Sequence, residues 1–452
     1  MFIDLKKIIT LKNFSILIFS SFLILCLITI RRYYYDEISY SLFLRIISIS
    51  LAITLLGFYL FLTNVERRRS IFLVIFSTII SIYIIEIGLR YIYFDHDDKN
   101  SIQSSNHESK GFNDYFRFLK EKNSNYVPFI APLTFFDQKG IIGKSTFAPI
   151  QPLSGISNSP TLLCNESGYY ATYESDRYGF NNDDDIWDSH KDKWVTVGDS
   201  FAHGACVFRE DTIASKLMQN INQEVVNLGY SGNGPIATLA SIVEYAEKLK
   251  PKKVFWLFCE GNDLTDLLVE EKSQIIRKYL DKEFTQNLIN KQDIIDYNLY
   301  SYLDFTEKLI SDKRATKVFR KYDYGLDHFK RIIRLYNIRE LLNINFYSEK
   351  YPSILKKILS TAKSRVESWG GELYFVFLPK YLRYSKIINN NEEYNFKNLV
   401  KKDVLDLGVK FIDIDKRFSE SEDPKEFFPF KINGHYTPEG YELVATTIKN
   451  NI

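Results

Sequence analysis

Residues 194–201 read Trp194-Val195-Thr196-Val197-Gly198-Asp199-Ser200-Phe201, and a helical stretch follows them. Four apolar or β-branched residues closing on a glycine, with a helix beyond, describe a strand that feeds straight into a helix. The alternation recurs downstream. Short β-branched or aromatic runs at Val225–Leu228, Lys253–Phe258, Glu372–Leu378 and Lys410–Ile414 alternate with amphipathic stretches over 211–223, 234–250, 353–368, 391–406 and 438–450. Strands and helices repeated in this order build right-handed βαβ crossovers and one parallel sheet covered on both faces. The expected class is α/β, with ligands at the carboxyl ends of the strands.

One stretch interrupts the pattern. Residues 264–350 are heavily charged and helical in pattern, and read as an insertion beside the active-site edge: a lid, a substrate platform or a solvated elaboration. Upstream, residues 111–190 carry many aromatics, Pro and Gly with no long period, which predicts irregular or β structure. A polar linker, beginning Asp95-His96-Asp97-Asp98, separates them from three apolar runs at Phe14–Ile30, Leu42–Thr63 and Ile71–Leu89. Each run is near the roughly 20 residues that cross a bilayer as a helix. A cleaved signal is disfavoured, because the first run ends in Arg31-Arg32 with no small-residue cleavage site. Lys6, Lys7, Lys12 and Arg67, Arg68, Arg69 fall on one side of three spans; Arg31, Arg32 and Arg90 fall on the other. Positive charge stays inside, so the N-terminus is expected in the cytoplasm and everything after Phe94 outside it. Glu86 and Arg90, four residues apart, are candidates to pair. The expected organisation is a three-helix anchor over 1–95 with the lipid bilayer as partner, a linker and irregular part over 96–190, and an α/β domain over 191–452.

Composition narrows the function. The 452 residues hold 58 Lys+Arg against 56 Asp+Glu, a net charge of +2, which argues against nucleic acid as a partner. Four cysteines, at 26, 164, 206 and 259, match neither a disulfide scaffold nor a zinc ribbon. Six histidines without a His-Glu-x-x-His give no support for a metal site, and no organic cofactor is implied.

Four motifs could carry chemistry, each at a strand-to-helix junction. In Gly198-Asp199-Ser200 the serine would expose its hydroxyl at the sheet edge and place its own N–H at a helix start, where nucleophile and first oxyanion donor coincide. In Gly229-Tyr230-Ser231-Gly232-Asn233-Gly234 the spacing is not that of a dinucleotide loop and no phosphate-loop Lys follows, so nucleotide is not expected. Gly232 instead lets the backbone approach a substrate oxygen. Asn262, in Gly261-Asn262-Asp263, can offer a side-chain N–H to an oxyanion. His435, in Asn433-Gly434-His435-Tyr436-Thr437-Pro438, precedes the last helix on the same sheet edge, where a general base for Ser200 would stand.

Taken in this order, the four motifs resemble the SGNH hydrolases, also called GDSL esterases or lipases. Ser200, Gly232, Asn262 and His435 match that family's Ser, Gly, Asn and His blocks. The resemblance covers roughly 190–452, and implies a flavodoxin-like three-layer α/β/α sandwich with Ser200 as nucleophile, His435 as base, and Ser200, Gly232 and Asn262 as the oxyanion hole. Ser175-Asp176-Arg177-Tyr178-Gly179-Phe180-Asn181 also looks like a segment that precedes Gly-Asp-Ser in some bacterial membrane-linked members. Two positions depart from the pattern: Glu260 stands where Gly is usual, and Ile432 stands where an Asp three residues before the His is usual. Asn433, a backbone carbonyl, or a distant Asp such as Asp199 or Asp263 would then have to orient His435. The expected activity is a membrane-anchored esterase that removes O-acyl groups, acetyl above all, from a cell-envelope or exported polysaccharide. An O-acyltransferase, an esterase acting on lipid or other esters, and a degenerate glycan-binding component are the alternatives. Cys164 and Cys206 both fall in the exported part, where an oxidising compartment would let them form a disulfide; free buried cysteines are the other reading.

Overall fold

The computed structural model describes residues 62–89, 111–135, 150–311, 351–384 and 396–452, with a few isolated helical positions at 27–59 and 332–338. The chain divides into two units, one of residues 1–104 with 317–350, the other of residues 105–316 with 351–452.

The second unit is built on five parallel strands: β4 (Lys193–Gly198), β5 (Glu224–Asn227), β6 (Lys253–Cys259), β7 (Glu372–Leu378) and β8 (Lys410–Asp413). Their order is β5-β4-β6-β7-β8, the flavodoxin-like 2-1-3-4-5 arrangement. Central strands of such a sheet are buried on both faces, which is why they read as unbroken apolar runs. Period-2 alternation divides them between two cores. Val254, Trp256 and Phe258 of β6 and Leu373, Phe375 and Phe377 of β7 face one core, closed by the helices around Leu239 and Ile358. Phe255, Leu257 and Cys259, with Tyr374, Val376 and Leu378, face the other, closed by the helices Ile213–Ile221 and Pro438–Lys449. The strands begin or end within one residue of the apolar runs in the sequence.

The insertion departs from its expected reading. Its first part forms the helix Asp263–Glu270, two short turns and the helix Gln292–Ser311, and Ile276, Tyr279, Leu288, Ile295 and Leu299 are buried in the first core. The buried Glu244 carboxylate fixes it, accepting from the Tyr279 hydroxyl (2.5 Å) and the Gln286 and Leu288 N–H groups (2.6 Å each). This half packs one face into the core wall, while Tyr297 and Tyr300 on its second helix stay exposed. Residues 317–350 group with the N-terminal unit instead.

Within the N-terminal unit, the helix Val65–Leu89 starts where the Asn64 side chain accepts from the Arg67 N–H (2.9 Å). Its Arg69–Leu89 stretch has mean hydropathy 2.3, and among the described residues it is the one helix long and apolar enough to cross a membrane. The expected spans at Phe14–Ile30 and Leu42–Thr63 lie mainly outside the described residues, as does Arg90. Glu86 accepts from the Ile338 N–H at 2.8 Å.

The segment before β4 is only partly irregular. A helix spans 111–122, and β1 (Val127–Pro128), β2 (Pro160–Leu162) and β3 (Thr172–Glu174) make a small sheet in which β2 and β3 form a hairpin. The stretch 175–182 locks it to the large sheet. Burial pushes the Asp176 carboxyl up to about 6, against four donors that hold it down: the Tyr178 and Phe180 N–H groups, the Asn182 amide and the Trp187 indole, at 2.8–2.9 Å. Asn182 in turn pairs with both backbone groups of Asn227 at the end of β5 (2.8 and 2.9 Å). Asp176→Ala strands several buried donors at once. It is expected to cost about 4 kcal/mol and to lower the melting temperature by roughly 10 °C in calorimetry of the detergent-solubilised protein. An unchanged melting temperature would contradict this account.

Candidate active site

β4 ends at Gly198, whose φ of +149° suits only glycine, and an added Cβ would stand 2.4 Å from the Leu257 carbonyl of β6. The close approach turns the chain sharply. The Asp199 carboxylate then accepts from the Phe201 N–H (3.0 Å) and caps the one-turn helix Ser200–His203, leaving Ser200 at its first position.

The His435 loop arrives from the far end of the chain. Thr437 caps the helix Pro438–Lys449, accepting from the Gly440 N–H at 3.2 Å, with Pro438 at the first helical position. The Tyr436 hydroxyl donates to the Pro379 carbonyl (2.7 Å) and that of Tyr441 to the Ala205 carbonyl (3.3 Å), and Phe201 packs against the imidazole at 4.9 Å. So held, His435 Nε2 stands 2.8 Å from Ser200 Oγ.

The third member comes from neither loop. Glu166, at the tip of the β2–β3 hairpin, places Oε1 2.9 Å from His435 Nδ1, and its Oε2 accepts from the His435 N–H at 2.7 Å. Ser200, His435 and Glu166 form a Ser–His–acid triad. A carboxylate at Nδ1 requires the proton there, so Nε2 is the acceptor that faces the serine hydroxyl. Gly434 makes room, since a Cβ there would sit 2.9 Å from Glu166 Oε2. Burial lowers the imidazole pKa, but the Glu166 hydrogen bond and charge, with Asp199 behind, raise it more, and the net shift is upward. Burial raises the Glu166 carboxyl, and its hydrogen bonds and attraction to His435 reverse that, leaving it below the ordinary carboxylate range.

Asn433, the expected orienting residue, is exposed and takes no such part, and Ile432 points to solvent at 59% exposure. Asp263 accepts from the Cys259 N–H (2.9 Å), closing the turn after β6. Asp199 lies beneath Ser200, with Oδ2 3.4 Å from the serine hydroxyl, and contacts Asn262. Asn262 also donates to Asp266 Oδ2 (2.7 Å), so its amide is held beside the nucleophile turn. Glu260, in the place of the usual glycine, turns away and pairs with Arg383, whose Nε donates to it at 2.9 Å.

Gly232 sits at φ +91° in a turn closed by the Asn233 N–H on the Tyr230 carbonyl (3.0 Å). Its neighbour Ser231 puts Oγ 3.0 Å from Nδ1 of His203, the last residue of the nucleophile helix, and so ties the glycine turn to that helix. His203 is fully buried against Tyr230, Tyr173 and Phe129. Burial and the nearby His435 push its pKa down to about 3, so it stays neutral and structural.

Cys164 and Cys206 are joined by a disulfide with Cα atoms 4.9 Å apart. Cys206 Sγ, Glu166 and His435 put ligand-type atoms within 4.8 Å of one another. With that sulfur in a disulfide and Nδ1 engaged by Glu166, the trio does not fit a metal ion. Glu166 is the residue the sequence did not mark. The signal was its place two residues after Cys164, itself paired with a cysteine beside the nucleophile.

No family model and no curated protein matches the chain. Among solved structures it is similar to a G-D-S-L family lipolytic protein from Desulfitobacterium hafniense, with 14% identity, coverage of 57% of this chain and 99% of that one, and a TM-score of 0.31. It is similar too to a lipase/acylhydrolase from Enterococcus faecalis (12%, 57% and 94%, 0.32) and an acetylxylan esterase from Geobacillus stearothermophilus (13%, 58% and 94%, 0.31).

Proposed function

We propose that this chain is a serine esterase of the SGNH type that removes O-acyl groups, acetyl above all, from a polysaccharide. The observation that carries the reading is the hydrogen-bonded relay from Ser200 Oγ through His435 to Glu166. Ser200 Oγ attacks the acyl carbonyl as its proton passes to His435 Nε2. The oxyanion that forms would be met by the N–H groups of Ser200 and Gly232 and by the Asn262 amide. Collapse breaks the ester bond, and the leaving sugar hydroxyl takes the proton from Nε2, leaving an acyl-serine. Water then attacks with His435 as base, releasing the carboxylic acid and restoring the serine. Glu166 keeps its negative charge throughout and stabilises the imidazolium.

The polysaccharide belongs to the motif resemblance, and the acyl group is taken as small on the same ground. We place the catalytic unit outside the cytoplasm on an N-terminal anchor over residues 1–95, supported by the Lys and Arg distribution, the apolar helix and a disulfide that needs an oxidising compartment. A fluorophosphonate probe tests the chemistry. The detergent-solubilised protein is labelled, digested and mapped, while p-nitrophenyl acetate hydrolysis and acetate release from an acetylated polysaccharide are followed. The expected result is a stoichiometric adduct on the Ser200 peptide, with both activities lost in parallel. Hydrolysis that survives complete labelling of Ser200 would overturn the assignment.

A further inference from the structure

We propose that the Cys164–Cys206 disulfide is the positioning element of the active-site acid: it holds Glu166 against His435, and opening it reduces the triad to a Ser–His pair. This rests on the hydrolase reading of the site. The β2–β3 hairpin carries backbone pairing only as far as Ala171, whose N–H donates to the Cys164 carbonyl and whose carbonyl accepts from the Leu163 N–H, both at 2.9 Å. Beyond that pair the Asn165 side chain accepts from the Gly168 N–H (2.9 Å), and Tyr170 stacks on Tyr115 with centroids 4.6 Å apart, contacts that hold the strand end of the tip but do not reach Glu166. Glu166 stands on this tip, and ordering a hairpin tip against solvent costs conformational entropy. A carboxylate drawn out of water toward an imidazole also loses hydration.

The disulfide removes most of that cost. It joins the residue two before Glu166 to the residue six after Ser200, closing 42 residues of chain, and a covalent link raises the local concentration of the acid at the base. Cys206 Sγ lies within 4.8 Å of a Glu166 carboxylate oxygen and an imidazole nitrogen, so the bond abuts the pair it would serve. Cys206 is buried, with φ at +61°, in the turn that begins at Gly204 (φ +82°), so the anchoring side sits within the core. The Tyr169–Phe208 stack, with centroids 4.9 Å apart, is a second and non-covalent tie between hairpin and nucleophile loop. It would keep the hairpin nearby after reduction without fixing Glu166.

Cys164 is only half-buried, so a small dithiol can reach it. Its thiolate attacks Cys164 Sγ and releases the Cys206 thiolate; the second thiol then closes a cyclic disulfide and frees the Cys164 thiol. Two electrons pass from the dithiol to the protein.

The test compares oxidised protein with protein reduced by dithiothreitol, with thiols counted by mass after alkylation, at constant far-UV circular dichroism. On reduction, kcat for p-nitrophenyl acetate is expected to fall between tenfold and a hundredfold. The acid limb of the pH profile should move to lower pH, and re-oxidation should restore both. In Glu166→Gln, reduction should change neither, because the residue it acts through is already gone. The double variant Cys164→Ala/Cys206→Ala should behave as the reduced protein, and if it does not fold, reversible reduction of the native chain still decides. Reduced protein alkylated at both Cys164 and Cys206, two thiols more than the oxidised chain, with unaltered kcat and an unmoved pH profile would overturn the proposal, as would an equal loss in Glu166→Gln. Fluorophosphonate labelling of Ser200 in the same samples separates the two readings: labelling that persists while reduction has no effect leaves the esterase standing and removes the disulfide's role.

Discussion

Ser200→Ala is expected to lower kcat for acetyl-ester hydrolysis by about 10^4- to 10^6-fold, with KM nearly unchanged. The hydroxyl has one proton and two acceptors within reach, Nε2 of His435 at 2.8 Å and Asp199 Oδ2 at 3.4 Å. The shorter contact runs along the path of attack, and Asp199 is already engaged with the Phe201 N–H and Asn262. Truncation to alanine therefore removes the nucleophile while leaving the helix cap intact, and the melting temperature should move by no more than a degree or two. His435→Ala should cost as much, and the double variant no more than either single one, because the two side chains perform one proton transfer. Steady-state kinetics on freshly purified, calorimetrically matched variants checks this. A Ser200→Ala protein that keeps more than about 1% of the native rate, or losses that add in the double variant, would mean the chemistry is elsewhere.

The sheet was readable because a doubly wound fold writes its central strands as apolar runs and its crossovers as amphipathic helices, and each is local. Val254 through Cys259 could hardly be anything but a buried strand once Gly261-Asn262 closed it. Ser200 and His435 were readable for a related reason: both stand where a strand or loop hands over to a capped helix, and such junctions share one edge of a parallel sheet. Glu166 obeys no such rule. It lies 269 residues from His435 on the tip of a hairpin outside the parallel sheet, and a glutamate in Asn165-Glu166-Ser167-Gly168 looks like any solvated turn. Asn433 was the natural substitute because it is close in sequence. The structure prefers closeness in space, reached through a disulfide and a glycine at 434 that admits a carboxylate. The insertion misled for the opposite reason: its charges are local and visible, whereas the Glu244 carboxylate that draws its turns into the core is not.

Glu166→Gln should therefore be the most damaging change after those at Ser200 and His435, lowering kcat by about 10^3-fold. The argument turns on protons. The carboxylate accepts at both oxygens, from the His435 main-chain N–H at Oε2 and from Nδ1 at Oε1. A main-chain N–H can only donate, so a glutamine must turn its carbonyl oxygen toward it. Its NH2 then faces Nδ1, which must become the acceptor, and the ring proton moves to Nε2. In that tautomer Nε2 can no longer receive the serine proton, so the resting base is switched off. The alternative flip restores the tautomer but sets an amide N–H against the His435 main-chain N–H and still lacks the charge that steadies the imidazolium. The pH profile moves as well. In the native protein the carboxylate outweighs burial and holds the imidazole above its ordinary value, and catalysis needs that ring neutral, so activity rises with pH through the raised pKa. Removing the negative charge leaves burial to pull the pKa down, and the acid limb of kcat/KM should shift to lower pH even as the plateau collapses. A profile whose acid limb stays in place, or shifts to higher pH, would show that the charge at 166 is not what governs His435.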